Sequence, residues 1–302
     1  MRTIHSRFAD EQRVGARAGL ATGQRGVGQR EGHHGGGRDG GRNRWHRLGS
    51  KSGAALAATA VLGAGLLSGC GSSSTSGDTK TITVFAAASL KQVFTQLGTR
   101  YESAHPGTKV TFSFAGSSDL VAQLNNGAPA DVFAAADQAN MDKAVKGGRI
   151  TDKPQVFATN TLTIVTPPGN PAHIDSLADL SKSGLRLVVC APQVPCGSAT
   201  KKVTSDAGVS ISPVSEESSV TDVLAKVTSG QADAGLVYVT DATGAGNKVT
   251  TVNFPESAKA VNSYPIAAVA DSKNSGAAKD FVALVTGPDG QQALRQAGFG
   301  KP

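Results

Sequence analysis

The chain of 302 residues is 39% hydrophobic and 18% charged, with a formal net charge of +7. All of that surplus sits in residues 1–69, which hold 11 basic and 4 acidic residues and leave 19 of each sign in residues 70–302. A nucleic-acid-binding role argued from net charge is therefore excluded, because the basic footprint is confined to one end and does not extend over the remaining 233 residues. Those 233 residues suffice for one large domain or for two lobes of roughly 100 residues each.

Residues 1–50 are rich in Gly and Arg and lack apolar periodicity, a composition that cannot bury enough apolar surface to offset chain entropy. Residues 1–41 read as an upstream extension from an early start rather than as a functional basic tail. From Arg42 the pattern is that of a secretory signal. Arg42, Arg44, Arg47 and Lys51 form a basic region, and Ala54 to Leu67 an apolar run of 14 residues. That run is short of the about 20 residues a spanning helix needs. Leu67-Ser68-Gly69-Cys70 then resembles a bacterial lipobox, in which the bond before the cysteine is cut and the cysteine becomes a lipid-modified N-terminus. The expectation is a removed leader at 1–69, lipid attachment at Cys70 and a flexible Gly/Ser/Thr linker at 70–80.

Beyond the linker, Thr81–Ala86 predicts a strand and Leu90 to about His105 an amphipathic helix ended by Pro106-Gly107. Lys109–Phe114 is a strand, and Ala115-Gly116-Ser117-Ser118 opens a helix running to Asn125. Ala130–Ala135 is a strand and Gln138–Lys146 a helix. A second block repeats the alternation. It has strands at Thr161–Val165, Leu185–Cys190 and Gly235–Tyr238, a short helix at Ser176–Ser181, and helices from Gly197 to Ser205 and from Thr221 to Ser229. A strand at Ile266–Ala270 and helices at Ser275–Thr286 and Gly290–Gln296 close the chain. Short apolar strands alternating with helices indicate an α/β fold with mostly parallel sheets. Residues 81–160 with 255–302 form one expected lobe and 161–254 the other. The crossover is expected at Thr159–Leu162 and the return at Phe254–Tyr264, an arrangement suited to hinge closure.

Four helix starts carry small or small polar residues: Ser89, Ser117, Cys196-Gly197 and Ser219-Val220. Serine there is ordinary capping. A helix start also aims free N–H groups and a positive dipole end outward, which suits an anion, and open α/β sheets bind ligands at the carboxyl ends of their strands. Cys190 and Cys196 either close a small disulfide loop or remain two buried thiols.

Thr83–Leu90 (TVFAAASL), Phe114–Ser118 (FAGSS), Gly127–Phe133 (GAPADVF), Ala136-Asp137, Val194–Gly197 (VPCG) and Gly235–Ala242 (GLVYVTDA) resemble, in this order, the substrate-binding protein of molybdate ABC importers. The likeness runs from about Thr81 to Gly300. It implies a type II periplasmic-binding fold with a ligand cleft between two lobes, no cofactor, no directly bound metal and no catalytic residue. The implied ligand is molybdate or tungstate, held by neutral donors: the hydroxyl and backbone N–H of Ser89 and of Ser117, the backbone N–H of Cys196 and of Val220, and the Tyr238 phenol. Ser118 is the alternative to Ser117. Two departures stand out. Cys196 occupies a position where alanine is common, and Gly116 replaces the first serine of the FASSS stretch. The resemblance further implies a monomer, anchored by lipid on the extracytoplasmic face of the cell membrane, that passes its ligand to an ABC permease. Selection against sulfate would rest on cavity size, since a smaller anion leaves buried donors unmet.

Other classes find less support. A serine hydrolase lacks its G-x-S-x-G elbow, and after Cys70 only His105 and His173 are available as bases. Asp131, Asp137 and Asp142 do not have the spacing of a calcium loop, and no His/Cys cluster has zinc spacing. Asp131 and Asp137 read as solvated or turn-capping groups. A receptor for another oxyanion or small acid on the same scaffold is the remaining alternative.

Overall fold

The computed structural model describes residues 79–302; the leader, Cys70 and all but the last two residues of the linker lie outside the described residues. The first strand, β1 (Lys80–Ala87), is followed by a 3₁₀ turn (Ala88–Leu90) and α1 (Lys91–Ala104). Then come β2 (Thr108–Ala115), α2 (Ser117–Asn125), β3 (Val132–Ala134), α3 (Gln138–Lys146) and β4 (Gln155–Asn160). A second series holds β5 (Leu162–Thr166), β6 (Leu187–Cys190), α4 (Pro195–Ala207), β7 (Ser215–Glu217), α5 (Val220–Thr228), β8 (Ala234–Tyr238), α6 (Val239–Ala245) and β9 (Thr250–Val252). The chain finishes with β10 (Asn262–Ala268), α7 (Ser275–Thr286) and α8 (Pro288–Gln296).

These elements form two five-stranded sheets, ordered β2-β1-β3-β10-β4 and β7-β6-β8-β5-β9. Both are mixed. In the first, β1 pairs in parallel with β2 and β3, and β10 runs against β3 and β4. In the second, β6 pairs in parallel with β7 and β8, and β5 runs against β8 and β9. Four strands of each sheet therefore share a direction. The reversed fifth strand is in each case one that connects the sheets: β4 passes into β5 through Thr161 alone, and the segment from Asn253 to Val261 leads from β9 into β10.

Local sequence explains the pieces. In α1, Val93, Phe94, Leu97 and Tyr101 fall on one helical face and are buried, whereas the intervening polar residues are exposed. The side chain of Asp137 caps α3 by accepting the Asn140 N–H at 2.9 Å, and Ser219 Oγ caps α5 by accepting the Asp222 N–H at 3.3 Å. Gly208 ends α4 in the left-handed conformation at φ +66, where a β-carbon is costly. On one face of the first sheet, Phe94, Phe157, Tyr264 and Phe281 pack with α1 and α7. On the other, Leu120, Leu124, Phe133 and Met141 form the layer under α2 and α3. The second sheet has its own Val- and Leu-rich core, to which Ala88 at the end of β1 also belongs.

Several elements differ from the sequence expectation. Strands β4, β7 and β9 and helix α6 were not expected, and β10 covers Asn262–Ala268 rather than 266–270. Strand β7, Ser215-Glu216-Glu217, is wholly polar and only half-buried at the sheet edge, so no apolar alternation marks it. Asp131 is not solvated. It is 7% exposed, accepts the Thr83 N–H at 2.7 Å and the Ser272 hydroxyl at 2.6 Å, and ties β1 to the loop after β10.

Candidate functional site

The carboxyl end of β1 and the starts of α2, α4 and α5 meet around one small buried hollow. Its lining comprises Ala87, Ala88, Ser89, Gly116, Ser117, Ala136, Val194, Pro195, Cys196, Val220 and Tyr238. Ser89, Ser117, Cys196, Val220 and Tyr238 are thus brought together, from both sheets. Ser118 does not line the hollow; its Oγ is buried without a hydrogen-bond partner. No lining residue carries a formal charge. The centre of a water-sized molecule has about 10 Å³ in which to move, so only a very compact ligand fits.

Each polar group has a defined part. Ser117 Oγ accepts the Ala136 N–H at 3.0 Å, which leaves its own proton to be donated elsewhere. Ser89 Oγ lies 3.0 Å from Tyr264 Oη, and Asn160 Nδ2 donates to Thr240 Oγ1 at 2.8 Å and reaches Tyr264 Oη at 3.5 Å. Either hydroxyl can be the donor in the Ser89–Tyr264 contact; when Tyr264 donates, the Ser89 proton is free for the hollow. Burial pushes the Tyr264 phenol far above its usual range, which keeps the phenol's own proton in place.

The first N–H groups of a helix have no partner within it. Among the described residues, no backbone bond outside the helices and sheets engages the N–H of Ser117, Cys196 or Val220. Pro195 at the first position of α4 has no N–H to offer, so the donors of that helix begin at Cys196. Cys190 and Cys196 are joined by a disulfide, with 5.7 Å between their Cα atoms, which pins the start of α4 to the end of β6. Gly197 makes the approach possible, because a β-carbon there would collide with the backbone carbonyls of Cys190 and Ala191.

Tyr238 is the most telling residue. It is 1% exposed, its ring meets Tyr264 at a centroid distance of 5.9 Å, and its hydroxyl, beside that of Tyr264, makes no well-formed hydrogen bond among the described residues. Burial, with Tyr264, Asp137 and Asp241 nearby, holds its phenol well above the ordinary value, so it is a donor and never a phenolate at physiological pH. Asp241 accepts the Tyr238 backbone N–H at 3.2 Å, and burial raises its carboxyl to about 7. Among the described residues no group of three or more His, Cys, Asp or Glu is placed to hold a metal ion.

Sequence reasoning missed the supporting residues Tyr264, Ala136, Asn160 and Asp241. Tyr264 precedes Pro265 in a stretch that reads as a connection, and a buried tyrosine among apolar neighbours carries no mark of its hydroxyl's partner.

Two mixed sheets sharing a neutral hollow lined by helix starts define a solute-binding protein. The family model described as bacterial extracellular solute-binding protein matches residues 82–300. The molybdate-binding protein ModA of Mycobacterium tuberculosis is 52% identical over 251 residues, covering 81% of this chain and 96% of that one. ModA of Escherichia coli is 34% identical over 228 residues, covering 72% and 88%. Among solved structures, the periplasmic molybdate-binding protein of Azotobacter vinelandii superposes with a TM-score of 0.65 at 23% identity, covering 73% of this chain and 99% of that one, a likeness of fold. The chain belongs to the family of ModA molybdate-binding proteins.

Proposed function

We propose that this protein captures molybdate, and tungstate with it, outside the cytoplasm and hands it to an ABC permease, acting by binding alone and without catalysis. The two sheets with their helices act as lobes, 81–160 with 255–302 and 161–254, which close over the anion. Ser89, Ser117, Cys196, Val220 and Tyr238 supply the donors, and a lipid on Cys70 holds the monomer at the membrane. The observation that carries this reading is the Tyr238 hydroxyl. It is buried without a well-formed hydrogen bond, at a hollow whose lining residues carry no formal charge. Leaving such a group unmet costs about 1–3 kcal/mol, which a bound oxyanion would recover. Dipoles fixed at helix starts can balance a dianion without a formal counter-charge. Kinship with proteins named for molybdate binding supports the choice of ligand.

Titration calorimetry of the purified chain with molybdate, tungstate, sulfate and phosphate tests the reading. The first two bind tightly and the last two weakly; sulfate binding as tightly as molybdate would remove the assignment. For the anchor, Cys70→Ala releases the protein from pelleted membranes, and retention of the variant refutes lipid attachment at Cys70.

A further inference from the structure

Three hydroxyls meet beside the hollow. Ser89 follows β1 in the first half, Tyr238 ends β8 in the second, and Tyr264 lies on β10, the strand that returns to the first sheet. Tyr264 does not line the hollow and is 0% exposed. Its ring packs against Phe157, Tyr238 and Phe299 at centroid distances of 6.3, 5.9 and 5.4 Å, which fixes where its hydroxyl lies. That oxygen is 3.0 Å from Ser89 Oγ and beside the Tyr238 hydroxyl, with Asn160 Nδ2 at 3.5 Å. Each hydroxyl has one proton to give and can also accept. An oxyanion without protons can only accept. Once Ser89 gives its proton to such an anion it has none for Tyr264, and the 3.0 Å contact is then a hydrogen bond only when Tyr264 donates it. Asn160 Nδ2 can only donate, so it does not compete for the Tyr264 proton.

We propose that Tyr264 is a positioning residue for the anion: without touching it, Tyr264 gives its proton to Ser89 Oγ and so holds Ser89 with its own proton turned into the hollow. In the empty protein either direction of the Ser89–Tyr264 bond is open; a bound anion leaves one. Without the phenol oxygen, Ser89 Oγ loses the buried partner that orients it. The anion must then order a freely rotating hydroxyl as it binds, at a cost in affinity. This inference rests on the binding reading above and adds to it a residue that acts through Ser89.

The test is a double-variant cycle on the full chain: wild type, Tyr264→Phe, Ser89→Ala and the two together. Tyr264→Phe keeps the ring and removes only the oxygen. Ser89→Ala leaves Ser117, Cys196, Val220 and Tyr238 at the hollow, so molybdate binding stays measurable. Affinity is read by calorimetry, and melting temperature without ligand is read alongside. Tyr264→Phe is expected to weaken molybdate binding about three- to ten-fold, the range of one neutral hydrogen bond. In the Ser89→Ala background the same change is expected to cost about two-fold or less, because a residue that acts through another loses its effect when the other is gone. A merely structural hydroxyl lowers the melting temperature in both backgrounds and shows no such coupling in affinity. Wild-type affinity in Tyr264→Phe overturns the proposal, and so does an equal loss in both backgrounds. A Tyr264→Phe chain that does not fold overturns it as well, since the hydroxyl would then serve the core. Failure of the underlying reading is visible in the wild type alone: a wild-type chain that does not bind molybdate overturns both.

Discussion

Two hydroxyls that line the same hollow differ in what else they do. Tyr238 Oη makes no well-formed hydrogen bond within the described protein, whereas Ser117 Oγ already accepts the buried Ala136 N–H. Tyr238→Phe therefore removes a donor to the ligand and nothing that the empty protein uses. Molybdate affinity is expected to fall by about ten- to a hundred-fold, in the range of a hydrogen bond to a charged group, with a melting temperature without ligand that does not fall. Ser117→Ala also costs affinity, but it strands the Ala136 N–H, a penalty of about 1–3 kcal/mol, so this variant melts lower even when empty. Calorimetry and thermal melts on the pair separate the roles; equal melting temperatures for the two variants would show that Ala136 finds another acceptor. Of the five residues brought together here, Ser89, Ser117, Cys196 and Val220 were legible at expected helix starts, and Tyr238 only through the resemblance. Their supports were not, because the Ser89–Tyr264 contact spans 175 residues and only the folded chain brings the two together.

At the scale of elements, the site is made by where helices begin. Helix α4 is the most constrained of these: Pro195 fixes its first turn, Gly197 lies against the carbonyls of Cys190 and Ala191, and the disulfide closes the loop between β6 and the helix. Replacing both cysteines by serine is expected to cost about 2 kcal/mol by the loop-entropy argument and to weaken molybdate binding, because the Cys196 N–H then samples more positions. Melting temperature and affinity measured on the same double variant check both halves of the claim, and unchanged affinity would confine the bridge to stability. The helices and central strands of this scaffold were readable from apolar periodicity. Edge strands were not: β7 is three polar residues held by backbone pairing to β6, with Glu217 bound to the Lys226 ammonium and the Ser215 hydroxyl. Helix α6 escaped notice because its seven residues, VTDATGA, give no apolar stripe, and its start is held by the Asp241 carboxylate accepting the Tyr238 N–H.

For the molecule as a whole, the two halves are joined at the paired connections and through buried polar contacts such as Asn160 to Thr240. Asp241 lies at this junction. It lines a groove shared with Lys91, Gln92 and Ser89 from the first half and with Thr221 and Leu224 from the second. Burial raises its carboxyl from 3.8 to about 7, against the opposing pull of the Tyr238 N–H. Between those two values the folded protein keeps a proton that the unfolded chain has already released. Stability therefore declines as pH rises across this interval and levels off above about pH 7. At about 1.4 kcal/mol per pKa unit, the decline attributable to Asp241 has a ceiling of about 4 kcal/mol. An arriving dianion favours the protonated carboxyl for the same electrostatic reason, so anion affinity is also expected to weaken as pH passes 7. Asp241→Asn keeps an oxygen for the Tyr238 N–H and has no proton to lose. Melting temperatures of the two proteins from pH 5 to 8 should diverge, with the variant the more stable at the alkaline end, and its molybdate affinity should be flatter with pH. Parallel curves for wild type and variant would mean that Asp241 stays ionised through this range, and that the junction tolerates a buried charge beside the anion.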